Sequence, residues 1–205
     1  MTDAVRLPPP ARSDGPGLWQ ALSARRSVRR YPPRPISLQE LSQLAWAAQG
    51  ETARAGDRLL RTAPSAGATY PTETYIFANR VDGLEPGLYR YAVADHALTL
   101  IRGGDLSSEL KDAVLGQGFV VQAAVVFAWT VVMERTSRRY GTRARQYVFM
   151  DCGHIGQNLA LAAAAMGMGS CAIGAFSDEA VAQVLGVDGV AEQPAYLTSV
   201  GWLEA

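Results

Sequence analysis

The chain has 205 residues, 48% of them apolar, and its 19 basic side chains balance 19 acidic ones. That length makes one domain with a real core, and the zero net charge argues against a general nucleic-acid or membrane-surface binder. Two cysteines and two histidines are too few for a disulfide framework or a Cys/His metal centre.

Residues 1–17 are rich in Pro and Gly, lack the apolar run of a signal peptide, and read as a disordered tail before a single domain at 18–205. Residues 18–24 read as a short helix with Trp19 and Leu22 turned inward. The segment ARRSVRRYPPRP then crowds Arg25, Arg26, Arg29, Arg30 and Arg34 together. Ser37 and Glu40 have the spacing of a capping box, and Leu38, Leu41, Leu44, Ala45 and Ala48 recur at helical period behind it. Residues 50–61 are polar and read as a loop, and TAPSAGATYP (62–71) as a turn of small residues. A strand is predicted over 72–78, a hairpin from 87–91 and 97–101 around Asp95 and His96, a helix over 106–115, and a long apolar strand over 123–133. Residues 134–145 form a second basic stretch.

The stretch 151–176, DCGHIGQNLALAAAAMGMGSCAIGAF, is the centre of the chain. It opens polar, runs apolar on nearly every face, and belongs in a core. Gly167 and Gly169 are placed to end the helix, and residues 170–176 read as a Gly-rich turn carrying Cys171. Residues 159–176 are about long enough to span a bilayer. Their polar neighbours and glycines favour a buried helix and turn in a cytoplasmic protein. Ser177 caps a helix over 178–185, and 195–201 is a last strand. Helices mixed with hairpin-like strands predict an α+β fold with a mostly antiparallel sheet flanked by helices.

No G-x-S-x-G elbow is present, and Cys171 reads as an inert thiol, His154 as a structural histidine and His96 as a solvated one. Gly167 and Gly169 follow a helix rather than a strand, which excludes a dinucleotide fingerprint. Arg25, Arg26 and Ser27 are a good chelate for one phosphate, because guanidinium pairs bidentately with phosphate oxygens. Residues 64–71 admit a flat ring close to the backbone. An anionic tail joined to a flat ring describes flavin mononucleotide, FMN.

ARRSVRRY, APSAGATYPTETY and HIGQNLALAAAAMGMGSCAIGAF, in this order and spacing, resemble the nitroreductase superfamily from about residue 18 to 201. Within it, PSAGATYP, GLYRY and GHIGQNLALAAAAMGMGSCAIGAF are most similar to the thiazoline and oxazoline dehydrogenases of peptide modification. The resemblance implies a homodimer with FMN at the interface and the small-residue central helix buried there. It implies that Arg25, Arg26 and Ser27 grip the phosphate and ribityl chain, and that Arg29 faces the pyrimidine end. Pro64, Ser65, Ala66 and Gly67 would lie along the ring, with Ile173 and Gly174 presenting amides to it. Two features depart from the family pattern. No Arg or Lys follows the last strand, so an arginine of 135–145 is expected to substitute. Arg139–Tyr140 stands where the azoline dehydrogenases carry Lys-Tyr, and Arg is a poor base, which leaves Tyr140 as the catalytic candidate. The implied function is FMN-dependent, NAD(P)H-linked reduction of a small nitro, quinone or enone substrate. The alternatives are azoline oxidation on a peptide, or a non-catalytic flavin-binding subunit of a peptide-modifying complex.

Overall fold

The computed structural model describes residues 4–13, 15–56 and 58–204. The chain starts with strand β1 (Val5–Arg6) and helix α1 (Leu18–Ala24). Strand β2 (Ile36–Ser37) enters α2 (Leu38–Gln49) through a complete capping box: Ser37 Oγ accepts from the Glu40 N–H while the Glu40 carboxylate accepts from the Ser37 N–H. The antiparallel pair β3 (Glu51–Ala55) and β4 (Arg58–Arg61) precedes β5 (Thr72–Ala78), β6 (Val81–Asp82), β7 (Gly87–Ala92) and β8 (Ala97–Gly103). Helices α3 (Ser107–Ala113) and α4 (Phe119–Gln122) lead to β9 (Val125–Val131). The chain ends with α5 (Met133–Tyr140), α6 (Ala144–Ala165), β10 (Met168–Ile173), α7 (Asp178–Leu185) and β11 (Gln193–Trp202).

Seven strands form one sheet in the order β1-β8-β7-β5-β9-β11-β10, and every neighbouring pair is antiparallel. Helices α2 and α6 cover one face, where Leu41, Leu44, Ile155 and Leu159 meet Ile76, Phe127 and Trp129. Helices α3, α4 and α7 cover the other, where Leu110, Val120, Val181 and Leu185 meet Phe77, Val126 and Leu197. Strand β9 is buried along its whole length, as its apolar run, interrupted only by Thr130, requires between two covered faces. This is the α+β architecture that the mixed pattern predicts. Among the described residues, no helix is long and apolar enough to cross a membrane.

Several local expectations fail for tertiary reasons. The described part of the expected disordered tail is held: β1 pairs with β8, Leu7 is buried, and the Leu7 N–H donates to His96 O at 3.0 Å. Residues 1–3 and 14 lie outside the described residues. Residues 51–55 and 58–61 are the β3–β4 pair rather than a loop, and their mostly charged or small side chains give no apolar alternation to read. Residues 168–173 are strand β10 rather than a turn. Gly167, at φ +72°, does end α6, but Gly169 serves close packing, since a Cβ there would stand 2.7 Å from the Val28 side chain. In α1, Ala21 is the buried residue, while Trp19 and Leu22 face outward at 81% and 43% exposure. His96 is not simply solvated: its ring nitrogens meet Tyr91 Oη at 2.7 Å and Ser42 Oγ at 2.8 Å.

Candidate functional site

The predicted site residues fall into two sets. The first lies on the β10 edge of the sheet. Arg25 terminates α1, its N–H donating to Ala21 O at 3.0 Å, and the chain then runs alongside β10. Ser27 forms a parallel bridge with Ser170, and the Val28 N–H donates to Ser170 O at 2.9 Å. Arg26 folds back on the backbone, its Nη1 donating to Arg25 O at 2.7 Å and Ser23 O at 3.0 Å. Arg26, Ser27 and Arg29 are exposed and Arg25 is half-buried. Among the described residues, no carboxylate forms an ion pair with Arg25, Arg26 or Arg29. Ile173 closes β10 with its side chain buried, and Gly174 follows as an exposed position with nothing within 4 Å of where a Cβ would be.

Gly174 lines an open groove of about 1220 Å³ with Met133, Gly141, Arg145 and Phe149, at the corner between α5 and α6. Of the basic stretch at 134–145, Arg135 is paired with Glu73 at 2.6 Å and Arg138 with Glu134 at 2.8 Å. Arg139 Nη1 leans on Gly67 O at 3.4 Å and Arg143 Nε on Tyr147 Oη at 3.3 Å. Arg145 is the member that lines the groove.

The second set is the turn at 64–70, seated on the first turns of α6. Its Gly67, Ala68 and Tyr70 take φ of +60°, +52° and +43°, the left-handed region that L side chains avoid. Position 67 favours glycine through its φ, and a Cβ there would stand 2.5 Å from the Tyr140 hydroxyl and 3.0 Å from Arg139 Nη1, so either side chain would have to move. Arg139 and Tyr140 therefore sit directly over the turn, with Tyr140 packed edge-on to Tyr147 at 4.9 Å between ring centroids. The Thr69 and Thr136 hydroxyls meet at 2.8 Å and fasten the turn to α5. Ser65 Oγ donates to Asp151 Oδ2 at 2.6 Å and the Ala66 N–H to Asp151 Oδ1 at 3.4 Å. Burial pushes the Asp151 carboxyl above the usual carboxylate range, opposed by the Ser65 and Ala66 donors and by nearby His154.

Asp151 was absent from the predicted set. The available signal was its being the one carboxylate in the 22 residues of α6. Cys171 lies in β10, buried, and burial raises its thiol above the ordinary range, in keeping with an inert role. Burial pushes the Cys152 thiol up to about 11. Among the described residues, no group of His, Cys, Asp and Glu side chains could hold a metal ion.

The donor set fits a flavin mononucleotide. Unpaired guanidinium groups and a serine lie at one end of the β10 edge, and an open backbone shelf at Gly174 lies at the other. Among the described residues, no side-chain hydrogen bond or ion pair joins this edge to the 64–67 turn.

A protein of Methanocaldococcus jannaschii, named "Putative nitroreductase", is 40% identical over 184 residues, covering 90% of each chain. The "Trifolitoxin-processing protein TfxB" of Rhizobium leguminosarum bv. trifolii is 33% identical over 118 residues, 55% of this chain and 32% of that one. The crystal structure of a "putative nitroreductase" from Ralstonia eutropha superposes with a TM-score of 0.83 at 27% identity, covering 98% of this chain and 90% of the other. The sequence profile of the nitroreductase family matches residues 22–202, which take in both sets of site residues and the whole sheet except β1. The chain belongs to the nitroreductase family.

Proposed function

We propose that the protein is an FMN-dependent oxidoreductase that uses NADH or NADPH to reduce a small nitro, quinone or enone substrate in the cytoplasm. The observation that carries this reading is the run of arginines bridged to β10, which among the described residues lack carboxylate partners, together with the open glycine shelf at the end of that strand. Arg25, Arg26 and Ser27 bind the phosphate and ribityl chain, and Arg29 stabilises negative charge at the pyrimidine end. Ile173 and Gly174 offer backbone amides to the ring. Pro64, Ser65, Ala66 and Gly67 of a second copy cover it, so the two sets that one protomer keeps apart are united in a homodimer. When bound, FMN supplies hydride chemistry at N5, and the residues around it position the substrate and exclude water.

The exposed apolar side chains support the second copy. Leu18, Trp19 and Leu22 on α1 are 58%, 81% and 43% exposed, and Phe149 and Met150 on α6 are 48% and 56% exposed. Helix α1 packs on α6, so these residues belong to neighbouring elements, and apolar side chains gathered in this way mark an interaction surface. Flavin absorption bands in the purified protein, bleached anaerobically by NADH or NADPH, are the expected result. A colourless protein that stays colourless after FMN is added would sink the reading.

A second reading, oxidation of an azoline in a peptide, is favoured by the Tyr140 hydroxyl lying over Gly67 and by the likeness to a toxin-processing protein. That reaction needs a base to take a proton from carbon as hydride leaves, whereas nitro or quinone reduction draws its protons from water. Tyr140→Phe is expected to keep quinone reduction within about tenfold of wild type and to abolish any azoline oxidation. Collapse of quinone reduction at full flavin content would favour the oxidase. Flavin bands that neither a nicotinamide nor an azoline peptide bleaches would favour the non-catalytic subunit.

A further inference from the structure

We infer that Asp151 is a positioning residue for the cofactor-facing turn, an inference that rests on the flavin reading above. The turn is a costly conformation: Ala68 and Tyr70 hold φ of +52° and +43° without being glycine. Its internal bonds, Ala68 N–H to Ser65 O at 3.0 Å and Thr69 N–H to Ala66 O at 3.3 Å, span only its middle. Asp151 ties the ends together. Its carboxylate accepts from the Ser65 hydroxyl at 2.6 Å and from the Ala66 N–H at 3.4 Å, while Ser65 Oγ accepts from the Tyr70 N–H at 3.0 Å. One hydrogen-bonded chain therefore runs from α6 through Ser65 to Tyr70, where the strained stretch ends. On the opposite side Thr136, Arg139 and Arg135 hold Thr69, Gly67 O and Tyr70 O.

The chemistry of the pair explains why a carboxylate stands here. Asp151 is 4% exposed, and among the described residues no Lys or Arg forms an ion pair with it. A buried, unpaired acid is expensive and is not a packing choice. Two donors, an O–H and an N–H, face two acceptor oxygens. An amide of the same shape offers one acceptor and sets an NH₂ group against a donor. Only a carboxylate satisfies both, and doing so fixes Ser65, Ala66 and Gly67 before any ring arrives, which removes an ordering cost from binding.

The test uses the full chain and follows FMN binding by fluorescence, with amide hydrogen exchange of the apo protein as a readout free of cofactor. Asp151→Asn and Ser65→Ala are each expected to weaken FMN binding about tenfold or more. The double variant should be little worse than either single one, because the two residues act as a unit. Exchange of the 66–70 amides should quicken while the strand amides of the core stay protected, and Ser65→Thr, which keeps the hydroxyl, should restore both readouts. Folded variants with unchanged FMN affinity, or with penalties that simply add, overturn the positioning role. If Asp151→Asn fails to fold, Ser65→Ala and Ser65→Thr decide the matter by the same measurements. A wild type that binds no FMN overturns the flavin reading itself, whereas a wild type that binds FMN beside an indifferent Asp151→Asn overturns this inference alone.

Discussion

Arg25 and Arg26 are the residues on which cofactor affinity should depend most directly. Among the described residues neither is paired with a carboxylate, and Arg25→Ala removes neither the Ser27 bridge to Ser170 nor the Arg26 bond to Ser23 O. Loss of one charge-assisted bond to phosphate should cost about 1.5–3 kcal/mol, roughly ten- to a hundredfold in FMN affinity, with an unchanged melting temperature of the apo protein. Unaltered FMN binding in a titration of Arg25→Ala would remove the phosphate from this edge. His96 makes a different prediction. Its ring is held by Tyr91, Ser42 and the Pro8 carbonyl, and burial lowers its pKa, against the Pro8 bond and with help from Arg12. The folded protein therefore binds this proton less readily than the unfolded chain. Stability from this group is full above the unfolded value of about 6.5 and is lost as pH falls from there toward the lower folded value. The melting temperature should drop as pH falls below about 6.5 in the wild type, and that drop should shrink in His96→Gln. Equal slopes in the two proteins would assign the pH dependence elsewhere.

Among the elements, α6 holds Asp151 beneath the 64–70 turn and packs its small residues against the sheet. Its small residues suggested close approach of a partner, but the structure assigns Gly156 and Ala163 to the protomer's own core. Ala163 is fully buried, and a Cβ on Gly156 would stand 2.5 Å from the Tyr196 ring on β11. Gly156→Leu should therefore overpack the helix–sheet contact, at a cost of about 1–3 kcal/mol in thermal or denaturant unfolding of the protomer. A variant as stable as wild type but monomeric would place Gly156 at an interface after all. Phe149, Met150, Gly153 and His154 of the same helix are exposed. The elements that were legible before the fold was known share one property: their signals are local. The Ser37–Glu40 box starts α2 through bonds three residues apart, and strand β5 covers residues 72–78 as predicted, between Pro71 and the turn that follows. Strand β10 was missed because its signal is not local. Its glycine makes room for Val28, which is 141 positions away in sequence, and its pairing partner β11 comes later in the chain.

For the whole molecule the prediction is a homodimer. Leu18, Trp19 and Leu22 cannot be satisfied by the protomer, which buries only Ala21 of α1. Equilibrium sedimentation of the FMN-loaded protein should give twice the chain mass of 21.9 kDa. Trp19→Glu should shift the equilibrium toward monomer and release FMN with it, because removing a large aromatic anchor typically costs 2 kcal/mol or more, roughly thirtyfold in affinity. A wild type that is monomeric and saturated with FMN would rule out a site shared between copies. The sequence by itself determined the family, the antiparallel α+β plan, the arginine cluster and the small-residue turn, because these depend on residue type and short spacing. Only the tertiary structure decided that Trp19 faces outward, that residues 4–13 are held against α2 and β8, and that the Tyr140 hydroxyl lies over Gly67. It alone brought Asp151 to Ser65 across 86 positions, since a contact between distant segments depends on how helices and sheet pack and leaves no periodic trace in either segment.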